Sequence, residues 1–152
     1  MNSFASFAGF AAHLAEVMVE TAIVEREALE NAAVIIEKAA KAKIGEYQDQ
    51  AGEFAAWADL AESTKQDRVA KGFSEDDPGL RTGQMRDSIE HQVHGSEAEI
   101  GSNDDDMVWF DQGTVKQPPR SVFGGTAFEQ GPVVAAEIGA EMFAVLSGTR
   151  KR

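Results

Sequence analysis

At 152 residues with 43% apolar side chains, the chain is long enough to build one core and too short for two domains, and wholesale disorder is excluded. Its 26 acidic and 14 basic side chains leave a formal charge of −12, which excludes binding to nucleic acid or an anionic membrane unless the few cations cluster on one face. Cysteine is absent, so disulfide scaffolds, thiol catalysis and cysteine-held zinc or iron–sulfur centres are excluded as well.

No targeting segment is expected. Residues 1–12 are apolar, but no lysine or arginine precedes Arg26, and a secretory signal needs a positive start. No window of about 18 residues is free of charge, so a transmembrane helix is not expected either. Synthesis and assembly are expected in the cytoplasm.

From about Ala11 to Ile44 the spacing predicts one long helix. Val17, Thr21, Val24, Ala28, Ile35 and Ala39 form its apolar stripe, widened by Met18, Ala22, Leu29, Ala32 and Ile36. No proline interrupts it, and Gly45 is a reasonable stop. Such a helix is roughly 50 Å long at 1.5 Å per residue, more than a domain of this size needs. One end should project or pack on a neighbouring subunit.

Residues 46–53 read as a loop, and a second helix is predicted from about Phe54 to Lys71, with Phe54, Trp57, Leu60 and Ala61 on one face. Phe73 to Gly79 reads as an acidic loop closed by the turn Asp77-Pro78-Gly79. Arg81 to His91 should begin as a helical turn and become a strand, although Ile89 and Val93 alternate poorly. A second strand is predicted at Glu97 to Gly101, a turn at Ser102 to Asp106, and a strand or short helix at Met107 to Phe110. Gln112 to Gly125 is an irregular segment, and Thr126 to Leu146 is a helix again. The pattern is α+β: long N-terminal helix, second helix, small antiparallel sheet, C-terminal helix. Residues 1–147 should form a single domain with a projecting N-terminal helix, and residues 148–152 a mobile basic tail.

Candidate chemistry is sparse. Asp104, Asp105 and Asp106 after Asn103 could attract a hard cation, but adjacent carboxylates in a turn diverge and no EF-hand pattern follows, so a solvated acidic turn is expected. His91 and His94 would point to opposite sides of an extended segment and have no third ligand nearby. Ser88 and His91 lack a nucleophile elbow, an orienting carboxylate and a glycine-built oxyanion hole. Gly124-Gly125-Thr126 could hold an anion at a helix N-terminus but lacks the lysine and spacing of a phosphate loop. No metal, cofactor or enzymatic role is expected.

Two segments are more specific. In Leu80-Arg81-Thr82-Gly83-Gln84-Met85-Arg86-Asp87-Ser88, Arg81 and Arg86 flank a Thr-Gly turn and can grip carboxylates bidentately. In so acidic a chain a subunit neighbour is the expected supplier, the alternative being two local surface salt bridges. In Gly113-Thr114-Val115-Lys116-Gln117-Pro118-Pro119-Arg120 the prolines stiffen an extended segment that cannot join a central strand. It should lie across an interface or, more simply, cross its own domain.

Taken in order, Ala56-Trp57 through Leu60 and Thr64, Leu80-Arg81-Thr82-Gly83-x-x-Arg86-x-Ser88, Ala98-x-Ile100-Gly101-Ser102, Gly113-Thr114 and Pro118-Pro119-Arg120 resemble the tail-completion or virion-morphogenesis proteins of the head–tail junction of tailed bacteriophages. The similarity covers roughly residues 54–128. Here Ser121 and Val122 come before Phe123, where that family usually has an aromatic or leucine directly after the proline–proline–arginine run. The resemblance implies a tail-terminator-like subunit of a homo-oligomeric ring, commonly sixfold, with a structural role in the virion neck and no catalytic residues. It implies interface or structural roles for Arg81, Thr82, Gly83, Arg86, Gly113, Thr114, Pro118, Pro119 and Arg120. The implied partners are the connector, the tail terminator or the tail tube, with the genome passing through without specific binding and no membrane involved. A tail terminator remains the alternative within the neck. From another class, an acidic adaptor or inhibitor of a host protein remains open.

Overall fold

The computed structural model describes residues 6–150. The fold is α+β, with five helices and one two-stranded antiparallel sheet among the described residues.

Helix α1, Phe7–Lys43, runs unbroken for 37 residues, about 55 Å. Ser6 caps its start, its Oγ accepting from the Gly9 amide at 3.1 Å. Its end is fixed by Ile44 in extended conformation and Gly45 at φ 105°, whose amide donates to the Pro78 carbonyl at 2.8 Å. The acidic loop thereby ties itself to the end of α1. By length and composition alone α1 could cross a membrane, despite Glu16 and Glu20.

The second helix is far shorter than its apolar pattern predicts: α2 is Glu62–Ala70, not Phe54 to Lys71. The amides upstream are committed elsewhere. Ala51 and Phe54 exchange backbone hydrogen bonds across a tight turn, the Trp57 amide donates to the Gln48 carbonyl, and the Leu60 amide donates to the Tyr47 hydroxyl. Burial drives this choice. Trp57 is 6% exposed and meets the Phe110 ring edge to face at 5.3 Å, an arrangement that a regular helix through residue 54 gives up.

A helical turn, α3 (Gln84–Asp87), leads into the hairpin β1 (Ile89–His94) and β2 (Glu97–Ser102), paired from Ile89↔Ser102 to His94↔Glu97. Gly95 at φ 61° and Ser96 make the two-residue connection, the length whose backbone twist matches the strands. Ile89, His91 and Val93 take the more buried face of β1, so alternation is regular once His91 is counted as inward. Asp104 Oδ1 accepts from the Asp106 amide and caps α4, Asp105–Gln112. The aspartate run is thus a helix start, where carboxylates complement the helix dipole.

Helix α5, Phe123–Leu146, starts three residues earlier than its periodicity suggests. The cap is remote: Asp111 Oδ1 accepts from the amides of Val122 at 2.6 Å and Phe123 at 3.0 Å. Helices α1 and α5 run antiparallel, pinned by Lys43–Glu129 at 2.8 Å and by Glu27–Arg150 at 2.6 Å. The second pair ties Arg150, the first of the three tail cations, to α1; Lys151 and Arg152 lie outside the described residues. The core gathers Ala40, Ile44, Trp57, Ile89, Met107, Phe110 and Val122 where α1, the hairpin and α4 meet.

Candidate interface cleft

A cleft of about 540 Å³ opens between the residue 59–64 segment, the Arg81–Met85 turn, α4 and the Lys116–Arg120 loop. It brings together parts of the chain more than 50 residues apart, including Leu60, Thr64, Arg81, Thr82, Gly83, Pro118 and Arg120. Trp109, 56% exposed, and Met85 give it an apolar side. Four cations, Arg68, Arg81, Lys116 and Arg120, line it against the carboxylates of Asp59, Asp104 and Asp106. In a chain of charge −12 this is a local reversal of the overall balance.

Two of those cations are interior. Arg68 is 4% exposed, donating from Nε to the Ser74 carbonyl at 2.6 Å and from Nη2 to the Leu80 carbonyl at 2.5 Å, which ties the acidic loop to α2. Arg120 is 3% exposed; its Nη2 donates to the carbonyls of Ala58 at 2.7 Å and Asp59 at 3.3 Å, and its guanidinium lies over the Phe110 ring at 5.6 Å. Burial pulls its pKa down from the usual arginine range. Its Nε is buried without a hydrogen-bond partner. Arg120 holds the residue 58–59 backbone against α4 from inside, a structural role.

The other singled-out residues divide. Arg81 donates to Asp67 Oδ2 at 2.7 Å and lies over the Phe73 ring at 5.3 Å. Arg86 donates from Nε to Asp87 Oδ1 at 2.8 Å and stays outside the cleft lining. The carboxylates expected from a neighbouring subunit are thus supplied locally in this chain. Thr82 Oγ1 accepts from the Gln84 amide, and Gly83, buried at φ 88°, starts α3 in a conformation that side chains resist. Gly113 has φ 76°, and a Cβ there would lie 2.6 Å from the Pro119 nitrogen. Thr114 and Gln117 exchange backbone bonds, the Thr114 hydroxyl accepting from the amides of Lys116 and Gln117. This compact turn presents Pro118 to the cleft, while Pro119 lies exposed beyond the lining. The segment crosses its own domain, its Arg120 amide donating to the Phe110 carbonyl.

Elsewhere, His91 has the orienting carboxylates that its sequence neighbourhood lacks. Its Nδ1 contacts Glu37 Oε2, and its Nε2 lies 3.0 Å from Glu30 Oε1. These partners raise its pKa, Glu30 first and Glu37 second, against the opposing effect of burial. Lys41, then His91, holds Glu37 below its usual value. With both ring nitrogens engaged, the ring clamps β1 to α1. Glu30 and Glu37 are seven apart on α1, the spacing that returns to one face, but nothing in the sequence pairs them with residue 91. Ser88 does not face His91; its hydroxyl donates to the Met85 carbonyl and meets the Ser102 hydroxyl. His94 meets Gln92. No cluster of three metal-ligating side chains occurs among the described residues. Gly124 serves close packing, since a Cβ there would lie 2.5 Å from the Phe54 ring, whereas one at Gly125 would only touch the Lys43 ammonium at 3.9 Å.

No family model matches the chain, and neither curated proteins nor solved structures include a match.

Proposed function

We propose that this chain is a structural subunit of the neck of a tailed bacteriophage, a tail completion protein that assembles as a homo-oligomeric, most simply hexameric, ring joining the tail to the head–tail connector. The observation that carries the reading is the gathering of the motif residues Leu60, Thr64, Arg81, Thr82, Gly83, Pro118 and Arg120 around one cleft. Its apolar side at Trp109 and Met85, with the Lys116 side chain on the same cleft, suits a partner segment that combines an apolar side chain with a carboxylate. A second copy or another neck protein supplies such a segment. Tail termination is the nearest alternative role, using the same ring and the same cleft.

The acidity fits this placement. A ring multiplies the −12 of each subunit, and a lumen of that sign repels phosphates within a Debye length of about 8 Å. DNA then passes without being held. The site of action is the virion, reached after assembly in the host cytoplasm. An acidic adaptor of a host protein would use the charge and leave the cleft without a purpose.

Trp109→Asp tests the reading, because Trp109 is 56% exposed on the cleft and its loss should leave the fold intact. The variant should melt like the parent and fail to restore infectivity to particles lacking the protein. Full infectivity from a folded Trp109→Asp protein would remove the cleft from the function.

A further inference from the structure

Two long apolar faces of this chain remain exposed, and they match one another. The first is the start of α1. The C-terminal end of the chain covers one side of α1 as far as Val24, the first wholly buried residue of α1, and Arg150 binds Glu27 and borders the His13–Ile23 side. From Phe7 to Ile23 the helix continues for 17 residues, about 25 Å, with Phe7 83%, Leu14 45% and Met18 73% exposed. Phe7, Leu14 and Met18, at spacings of seven and four, lie on one side of this arm. The second face is the outer side of α5. Phe128, Phe143 and Leu146, at 56%, 70% and 67% exposure, share a helical stripe with exposed Ala135 and Gly139 between them. This stripe spans 19 residues, about 28 Å.

The α1 face is built of bulky side chains. The α5 face has large residues at its ends and small ones in the middle, a shape that admits a second helix at close range. One copy cannot join its own two faces, because α1 is continuous and already occupies the inner side of α5. We propose that the α1 arm of one copy packs along the outer face of α5 of the next copy, a head-to-tail contact that fills both surfaces and propagates around a closed ring.

A second copy is a better occupant than a lipid surface. The arm carries Glu16 and Glu20 and has no lysine or arginine before Arg26, so an anionic bilayer repels it. At roughly 150–200 Å² for each fully covered large side chain, the contact removes on the order of 1,000 Å² from water, the lower bound for a specific interface. Each copy carries −12, so association strengthens as salt rises. The inference does not depend on the phage reading.

The test is sedimentation velocity on the purified full chain at concentrations up to about 200 μM and at two salt concentrations, with Met18→Asp and Phe143→Asp as the variants. Both positions are exposed, so both variants should keep the parent's circular dichroism and melting point. The parent should self-associate, more at high salt, and each variant alone should bind itself at least about 30-fold more weakly. Mixing the two variants should restore a one-to-one dimer, because the Phe143→Asp protein keeps an intact arm and the Met18→Asp protein an intact α5 face. A parent that stays monomeric throughout, or variants that associate like the parent, would overturn the proposal. A mixture that stays monomeric would overturn the head-to-tail geometry. Binding of the parent to anionic vesicles, lost in Met18→Asp, would assign the arm to lipid instead. Loss of self-association with particle assembly intact would sink the neck reading and leave this one standing.

Discussion

Replacing His91 with Gln removes the ring that fastens the hairpin to α1 and leaves Glu37 with Lys41 alone. The His91 and Glu37 side chains are each 19% exposed, so their contact is shielded from solvent, whereas Glu30 is 55% exposed and adds little. A shielded hydrogen bond between charged partners is worth about 1.5–3 kcal/mol, and the exposed second contact brings the whole clamp to about 2 kcal/mol. For a chain of this size that loss lowers the melting temperature by about 4–8 °C. Its pH dependence follows from the two shifts. The raised His91 pKa makes its share fully present below the unfolded value of 6.5 and lost as pH rises through the higher folded value. The lowered Glu37 pKa makes its share present above 4.5 and lost as pH falls through the lower folded value. Thermal melts of parent and His91→Gln should therefore differ most between about pH 4.5 and 6.5 and converge above that window. A difference that stays flat to pH 9, or grows with pH, would refute the clamp.

Three other outcomes follow from the same geometry. Arg120→Ala should cost about 2–4 kcal/mol by urea unfolding, because it strands the Ala58 and Asp59 carbonyls and uncovers the Phe110 ring; a loss below 1 kcal/mol would mean the guanidinium is not interior. Gly113→Ala should cost at least about 2 kcal/mol, since its Cβ meets the Pro119 nitrogen at positive φ, whereas Gly101→Ala, with open space around it, should change stability by less than about 1 kcal/mol. A gel shift with duplex DNA at physiological salt should show no binding at micromolar protein, with or without residues 150–152; binding that disappears with those residues would make the tail a DNA grip.

Much of the fold was legible because helical periodicity survives wherever one element packs along its length. The 37-residue α1 and α5 announce themselves in this way, whereas in the hairpin Ala98 and Ile100 alternate in the second strand and the first strand reads poorly until His91 is counted as inward. The second helix failed where tertiary bonds outbid local preference: the spacing of Phe54, Trp57 and Leu60 is helical, but Gln48 and Tyr47 take the amides. The α5 start was hidden because its cap, Asp111, lies on another helix. Arg81 and Arg86 were correctly read as carboxylate binders, but their partners Asp67 and Asp87 belong to the same chain. Arg120 was legible as special and not as buried, since nothing local reveals the carbonyls of Ala58 and Asp59 facing it. Nothing near His91 in the sequence supplies an orienting carboxylate, because its partners stand 54 and 61 residues away.

The central claim is that this protein joins tail to head, and electron microscopy of lysates made with its gene disrupted tests it most directly. The account predicts filled heads and complete tails accumulating side by side, unjoined, and joining when the purified protein is added. Normal joined particles without the protein, or a lysate lacking heads or tails altogether, would contradict it.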